Sequence, residues 1–154
     1  MLFRSFVDDR QTTFLIVDDD PAYTLLLKEA ILSHFTNADV ITTDDGYEAL
    51  LLMGERKPHV VMLDLKMPKV EGFQVLELLR ARRKDNTMKV IVLSAYLDSE
   101  TRTRLKSTVA DGIWEKGMSV ADILRSLDGI VNAEEQHKAR PKSKSRSFSP
   151  AHAD

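Results

Sequence analysis

The stretch PHVVMLDLKMPKVEGFQVL, residues 58–76, decides how the rest of the chain is read. Val60-Val61-Met62-Leu63 is a continuous apolar run with no polar alternation, the pattern of a strand covered on both faces of a parallel sheet. It stops at Asp64. A helical pattern follows over 71–83, with Phe73, Leu76 and Leu79 on one face.

Working outward, similar runs occur at Phe14-Leu15-Ile16-Val17, Val40-Ile41-Thr42 and Val90-Ile91-Val92-Leu93, with a weaker one at Gly112-Ile113-Trp114-Glu115. Helical patterns separate them. Asp20 followed by Pro21 reads as an N-cap and first helical position. That helix is expected to bury Leu26, Ala30 and Ile31, with Phe35 at its end. A second helix spans 46–56 through Ala49, Leu50 and Met53. A fourth starts after Asp98 and has only Leu105 and Val109 as anchors. A fifth opens at Ser119, with Asp122 three residues on, and carries Val120, Ile123, Leu124, Leu127 and Val131 at helical spacing. Five strands alternating with five helices predict an α/β fold: a doubly wound, five-stranded parallel sheet with right-handed crossovers. Trp114 is expected to pack under the last helix.

The chain has 154 residues, enough for one domain. It contains no cysteine, which excludes a disulfide framework, a Cys-ligated zinc site, an iron–sulfur cluster and a thiol nucleophile. No apolar run approaches the roughly 20 residues of a membrane-spanning helix. The first ten residues hold Arg4, Asp8, Asp9 and Arg10 and lack a signal-like apolar core. A cytoplasmic location without membrane association is expected. The net charge of −2 conceals an asymmetry: five basic residues (Lys138, Arg140, Lys142, Lys144, Arg146) against Asp154 give the end of the chain +4 and leave −6 on the remainder. The division expected is an N-terminal extension over 1–11, one domain over 12–135, and a basic, disordered tail over 136–154.

In doubly wound sheets, ligands sit beyond the carboxyl ends of the strands. The residues there are Asp18 and Asp19 after the first run, Asp64 after the third, Ser94 after the fourth and Lys116 after the fifth. Three carboxylates brought together repel one another unless a cation neutralises them. Carboxylate oxygens without His or Cys suit Mg²⁺, or Mn²⁺. A lysine and a hydroxyl beside them complete a site for a transferring phosphoryl group. The four histidines share no spacing that suggests a metal site. The basic tail has enough charge for weak, salt-dependent binding to an acidic partner or nucleic acid, without sequence readout.

With these residues in order, the sequence resembles the receiver domains of two-component response regulators. The matching segments are FLIVDDDP at 14–21, PHVVMLDLKMPKVEGFQVL at 58–76, VIVLSAY at 90–96 and ADGIWEK at 110–116, and the likeness covers about 12–134. It implies a flavodoxin-like strand order 2-1-3-4-5 and makes Asp64 the phosphoacceptor, forming an aspartyl phosphate. The phosphoryl donor would be a phosphohistidine on a sensor histidine kinase or histidine phosphotransfer protein. Asp18, Asp19, Asp64 and the backbone carbonyl of Lys66 would hold Mg²⁺. Ser94 and Lys116 would contact the phosphoryl group. Met67-Pro68 and Gly72 match the turn after the acceptor. The chain would then be a signalling protein catalysing only its own phosphorylation and dephosphorylation. With about 20 residues after 134, it is expected to act as a stand-alone receiver. Output would be protein binding, through the face of helix 4, strand 5 and helix 5, or onward phosphate relay.

Two positions depart from the family pattern. Ile113 stands where a Tyr or Phe usually couples the phosphorylated site to the output face, leaving Tyr96, Trp114 or the fourth helix as substitutes. Gly117 stands where the family has Pro, commonly after a cis bond. A cis bond before a non-proline residue costs about 2.5–4 kcal/mol, so a trans Lys116–Gly117 bond is expected. These departures favour an alternative, a receiver-fold adaptor working without phosphorylation. An aspartyl phosphohydrolase would want a second acid two residues after the nucleophile, where Lys66 stands.

Overall fold

The computed structural model describes residues 11–67, 71–82 and 87–139. The N-terminal extension through residue 10, Pro68, Arg83 and the tail from 140 onward lie outside the described residues. Strands and helices alternate throughout: β1 (Thr12–Val17), α1 (Pro21–His34), β2 (Ala38–Thr43), α2 (Gly46–Arg56), β3 (Val60–Asp64), α3 (Gly72–Arg82), β4 (Lys89–Ser94), α4 (Ser99–Lys106), β5 (Gly112–Glu115) and α5 (Val120–Ala139). The strands form one parallel sheet in the order β2-β1-β3-β4-β5. The strand order and fold class expected from the sequence are therefore the ones observed. Among the described residues, no helix is long and apolar enough to cross a membrane.

The unbroken apolar runs follow from the layering. Successive strand side chains point to opposite faces. Phe14, Ile16, Val60, Met62, Ile91 and Leu93 face one core layer, closed by Leu27 and Ile31 of α1 and Ile123 and Leu127 of α5. Leu15, Val17, Val61, Leu63, Val90 and Val92 face the other, with Ala49 and Met53 of α2, Val75, Leu76 and Leu79 of α3 and Leu105 of α4. Trp114 packs against the first layer with Leu124, as expected.

Side-chain caps start the helices. Asp20 Oδ1 accepts from the Ala22 and Tyr23 amides. Asp45 does the same for α2, Asp98 Oδ1 accepts from the Thr101 amide of α4, and Ser119 Oγ accepts from Asp122 at α5. The N-cap reading of Asp20 holds.

Three local expectations need correction. Leu26 is 48% exposed, and its neighbour Leu27 is the buried residue. Three consecutive leucines, Leu25 to Leu27, leave the helix phase open, and the inward row is Tyr23, Leu27, Ile31 at four-residue spacing. Val109 does not belong to α4, which ends at Lys106; it packs against the same core from the loop before β5. The last helix continues to Ala139, so the boundary drawn at 135 falls inside it. The Lys116–Gly117 bond is trans, as anticipated.

Gly72 is required by a close approach. Its amide donates to the Leu65 carbonyl at 2.9 Å, and a Cβ there would lie 2.5 Å from the Asp64 carbonyl oxygen and 2.7 Å from Leu65 Cα. Both obstacles are backbone, so the turn carrying Asp64 would have to shift. Gly72→Ala is expected to destabilise the fold by about 1–3 kcal/mol in urea unfolding. An unchanged midpoint would show that the turn yields freely.

Candidate phosphoryl and metal site

β1 and β3 are neighbours, so the residues leaving their carboxyl ends meet at the same rim. Asp18 and Asp64 are 5% and 6% exposed, while Asp19 is open to solvent. Each of the three offers a carboxylate oxygen, all within 4.8 Å of one another. The backbone organises them. The Asp18 amide donates to the Thr43 carbonyl of β2, and Asp18 Oδ1 accepts from the Asp20 amide at 2.9 Å. Asp64 Oδ1 accepts from the Lys66 amide at 3.4 Å. The consecutive aspartates thus divide the work: Asp18 and Asp19 face the rim and Asp20 caps α1.

Lys116 reaches this cluster from the end of β5. Its Nζ lies 2.7 Å from Asp18 Oδ2 and 3.5 Å from Asp64 Oδ2. Its own amide donates to the Ser94 carbonyl, tying β5 to β4 at the site. Ser94 is 2% exposed and follows Leu93, the register partner of Asp64. Its hydroxyl points into the following loop and donates to the Tyr96 carbonyl at 3.0 Å. The Lys66 side chain is exposed.

The structure therefore gathers Asp18, Asp19, Asp64 and Lys116, with Ser94 on the adjacent strand end. Tyr23 was not foreseen. Its ring lies beneath the Lys116 ammonium, 5.0 Å from Nζ to the ring centroid. Its position four residues after Asp19, one helical turn into α1, was the available signal. His34 pairs with Asp128 at 2.8 Å and His59 Nδ1 accepts from the Thr13 amide, so both have structural partners away from the rim.

Burial and the neighbouring Asp18 charge push Asp64 up to about 6, against the opposing pull of Lys116 and the Lys66 amide. Burial works against the charge on Lys116, but the hydrogen bond and charge of Asp18, followed by Asp64, raise its pKa overall. Three carboxylates against one ammonium leave excess negative charge at a partly dehydrated rim. Hard oxygen donors in this arrangement fit a divalent ion of the Mg²⁺ type, whose charge would reverse the upward push on Asp64.

The sign of the pH dependence follows. Because folding raises the Asp64 pKa from 3.8 to about 6, the folded state holds that proton more tightly than the unfolded state does. The Asp64 contribution is favourable at low pH and is lost as pH rises through about 6. In chelator, Asp64→Asn is expected to be more stable than wild type at neutral pH by roughly 1–3 kcal/mol, with the gap closing towards pH 4. Thermal unfolding across that range checks it, and a gap independent of pH would contradict it.

The response regulator receiver domain family matches residues 14–128. The transcriptional regulatory protein TrcR of Mycobacterium tuberculosis is 32% identical over 127 residues, 82% of this chain and 48% of that protein. The probable transcriptional regulator ycf27 of Guillardia theta is 37% identical over 119 residues, 76% of this chain and 44% of that protein. The chain spans about half the length of the curated relatives it matches. Among solved structures, the receiver domain of a CheY-like response regulator protein from Methanospirillum hungatei superposes with a TM-score of 0.74 at 24% identity, covering 83% of this chain and 99% of that one. With the family match over residues 14–128 and relatives above 30% identity, the chain belongs to the response regulator receiver domain family.

Proposed function

We propose that this receiver takes a phosphoryl group onto Asp64 in a Mg²⁺-dependent reaction and signals through its phosphorylation state. The observation that carries the reading is the buried Asp64 carboxylate, placed within 4.8 Å of two further carboxylates and facing the Lys116 ammonium. Histidine kinases and histidine phosphotransfer proteins are the donors this chemistry fits. An Asp64 oxygen attacks the phosphorus of a phosphohistidine. An O–P bond forms, the N–P bond breaks with its electron pair going to the ring nitrogen, and that nitrogen takes up a proton as it leaves.

Asp18, Asp19, Asp64 and the Lys66 carbonyl would hold the ion, which when bound supplies positive charge to the phosphoryl oxygens. Lys116 is already at the acceptor and needs only to exchange a carboxylate partner for a phosphoryl oxygen. The Ser94 hydroxyl would turn from the Tyr96 carbonyl to the phosphoryl group. Output through the α4–β5–α5 face, by protein binding or onward relay, is part of the proposal. Ile113 and Gly117 are the specific features favouring phosphorylation-independent binding instead.

Incubation of the full chain with phosphorylated kinase, or with acetyl phosphate and Mg²⁺, is expected to give an acid-stable, base-labile phosphoprotein. Asp64→Asn and excess chelator should each abolish it. Equal labelling of Asp64→Asn would overturn the assignment, and an unlabelled wild type would favour the adaptor reading.

A further inference from the structure

Tyr23 has no role in the proposed reaction, yet it sits where that reaction would occur. α1 begins directly after the three aspartates, and its inward row carries Tyr23 to the rim. The ring lies under Lys116 Nζ at 5.0 Å, within the range at which an ammonium is attracted to an aromatic face. The hydroxyl is buried and has no hydrogen-bond partner among the described residues. No polar contact therefore explains a tyrosine here, and the ring is the part that touches the site. Burial raises the phenol pKa, Lys116 pulls it down, and Asp18 and Asp64 push it up, which places the side chain in the field of those three groups.

We propose that Tyr23 is a positioning residue for Lys116, its ring face holding the ammonium against the acceptor carboxylate. The inference rests on the reading of Asp64 as phosphoacceptor. Its physical basis is a difference between the partners of Lys116. Asp18, at 2.7 Å, and Asp64, at 3.5 Å, belong to the carboxylate set that fits a divalent ion. A cation bound there draws on the same oxygens that hold the lysine. The neutral ring attracts the ammonium without competing for the metal. It thus keeps the lysine at the rim when both carboxylates turn to other work. An aliphatic side chain of similar size would fill the same core position without this attraction.

The test uses the full chain with acetyl phosphate and Mg²⁺, which labels Asp64 by forming its O–P bond as acetate departs. Tyr23→Leu is expected to slow labelling about fivefold, whereas the conservative Tyr23→Phe should restore most of the rate, because the ring is retained. A second readout is independent of phosphorylation. In chelator, the Lys116 ε-methylene protons should show an aromatic ring-current shift by NMR in wild type and Tyr23→Phe. Tyr23→Leu should lose it. A wild-type rate in Tyr23→Leu, or equal losses in the Leu and Phe variants, would overturn the proposal, as would the absence of the ring-current shift in wild type. A wild type that shows the shift but takes no label would overturn the reading of Asp64 while supporting the ring–ammonium contact.

Discussion

Electrostatic repulsion at one rim governs this molecule. Asp18 and Asp64 are almost wholly removed from solvent and lie beside Asp19, with Lys116 the cation the structure places among them. Burial strengthens repulsion and attraction alike, because fewer water dipoles screen them. Burial first, and then the Asp18 charge that the lysine does not offset, push the Asp64 pKa up to about 6. A site left in deficit in this way responds strongly to an added positive charge. An ion drawing on the excess carboxylates would lower the proton affinity of Asp64 by the same charge that holds it there.

The fold creates that imbalance cheaply by keeping its polar groups at strand ends. The central residues of β1, β3 and β4 are apolar and buried on both sheet faces, and the polar chemistry is confined to the carboxyl ends of the strands and the residues just past them. Placing β1 beside β3 brings Asp18 and Asp64 together without any loop having to reach across. Backbone bonds then fix their aim: Thr43 receives the Asp18 amide, and the turn after Asp64 is pinned by the Gly72 amide on Leu65. A methyl group at residue 72 would press on the Asp64 carbonyl itself, so packing in that turn and the placement of the Asp64 carboxylate are the same problem.

Much of this was legible beforehand, and the exceptions share a cause. Runs such as Val60–Leu63 announce a doubly covered strand, and Asp64, Ser94 and Lys116 follow from where such strands must end. The cap Asp20 is legible because a short polar side chain followed by Pro suits the start of a helical pattern. Leu26 was misjudged because a run of three leucines carries no phase information. Val109 was credited to α4 because an apolar residue three or four past Leu105 suits either a helix or a packed loop. Tyr23 escaped notice because an aromatic at an inward helical position reads as core. Only the position of the Lys116 ammonium over its ring reveals more. Sequence pattern reports which residues are inside, and contacts between elements distant in the chain decide what the inside residues do.

Ser94 has one hydroxyl proton, and it is given to the Tyr96 carbonyl. A phosphoryl oxygen at Asp64 would compete for that same proton, and the two acceptors cannot both be fully served. The short loop after Ser94 runs directly into Asp98, the side chain that caps α4 through Thr101. Leu105 is the buried residue of α4, which is otherwise tied by the Arg102–Glu115 pair and by Arg104 over the Phe73 ring. Ile113 lies partly buried in the adjoining layer and offers neither a hydroxyl nor a ring edge to follow the change. Coupling would then run along the main chain from Ser94 through Tyr96 to the start of α4, rather than through a side chain swinging beneath β5. Tyr96, 65% exposed at the middle of that path, is the residue through which such a displacement would alter the surface.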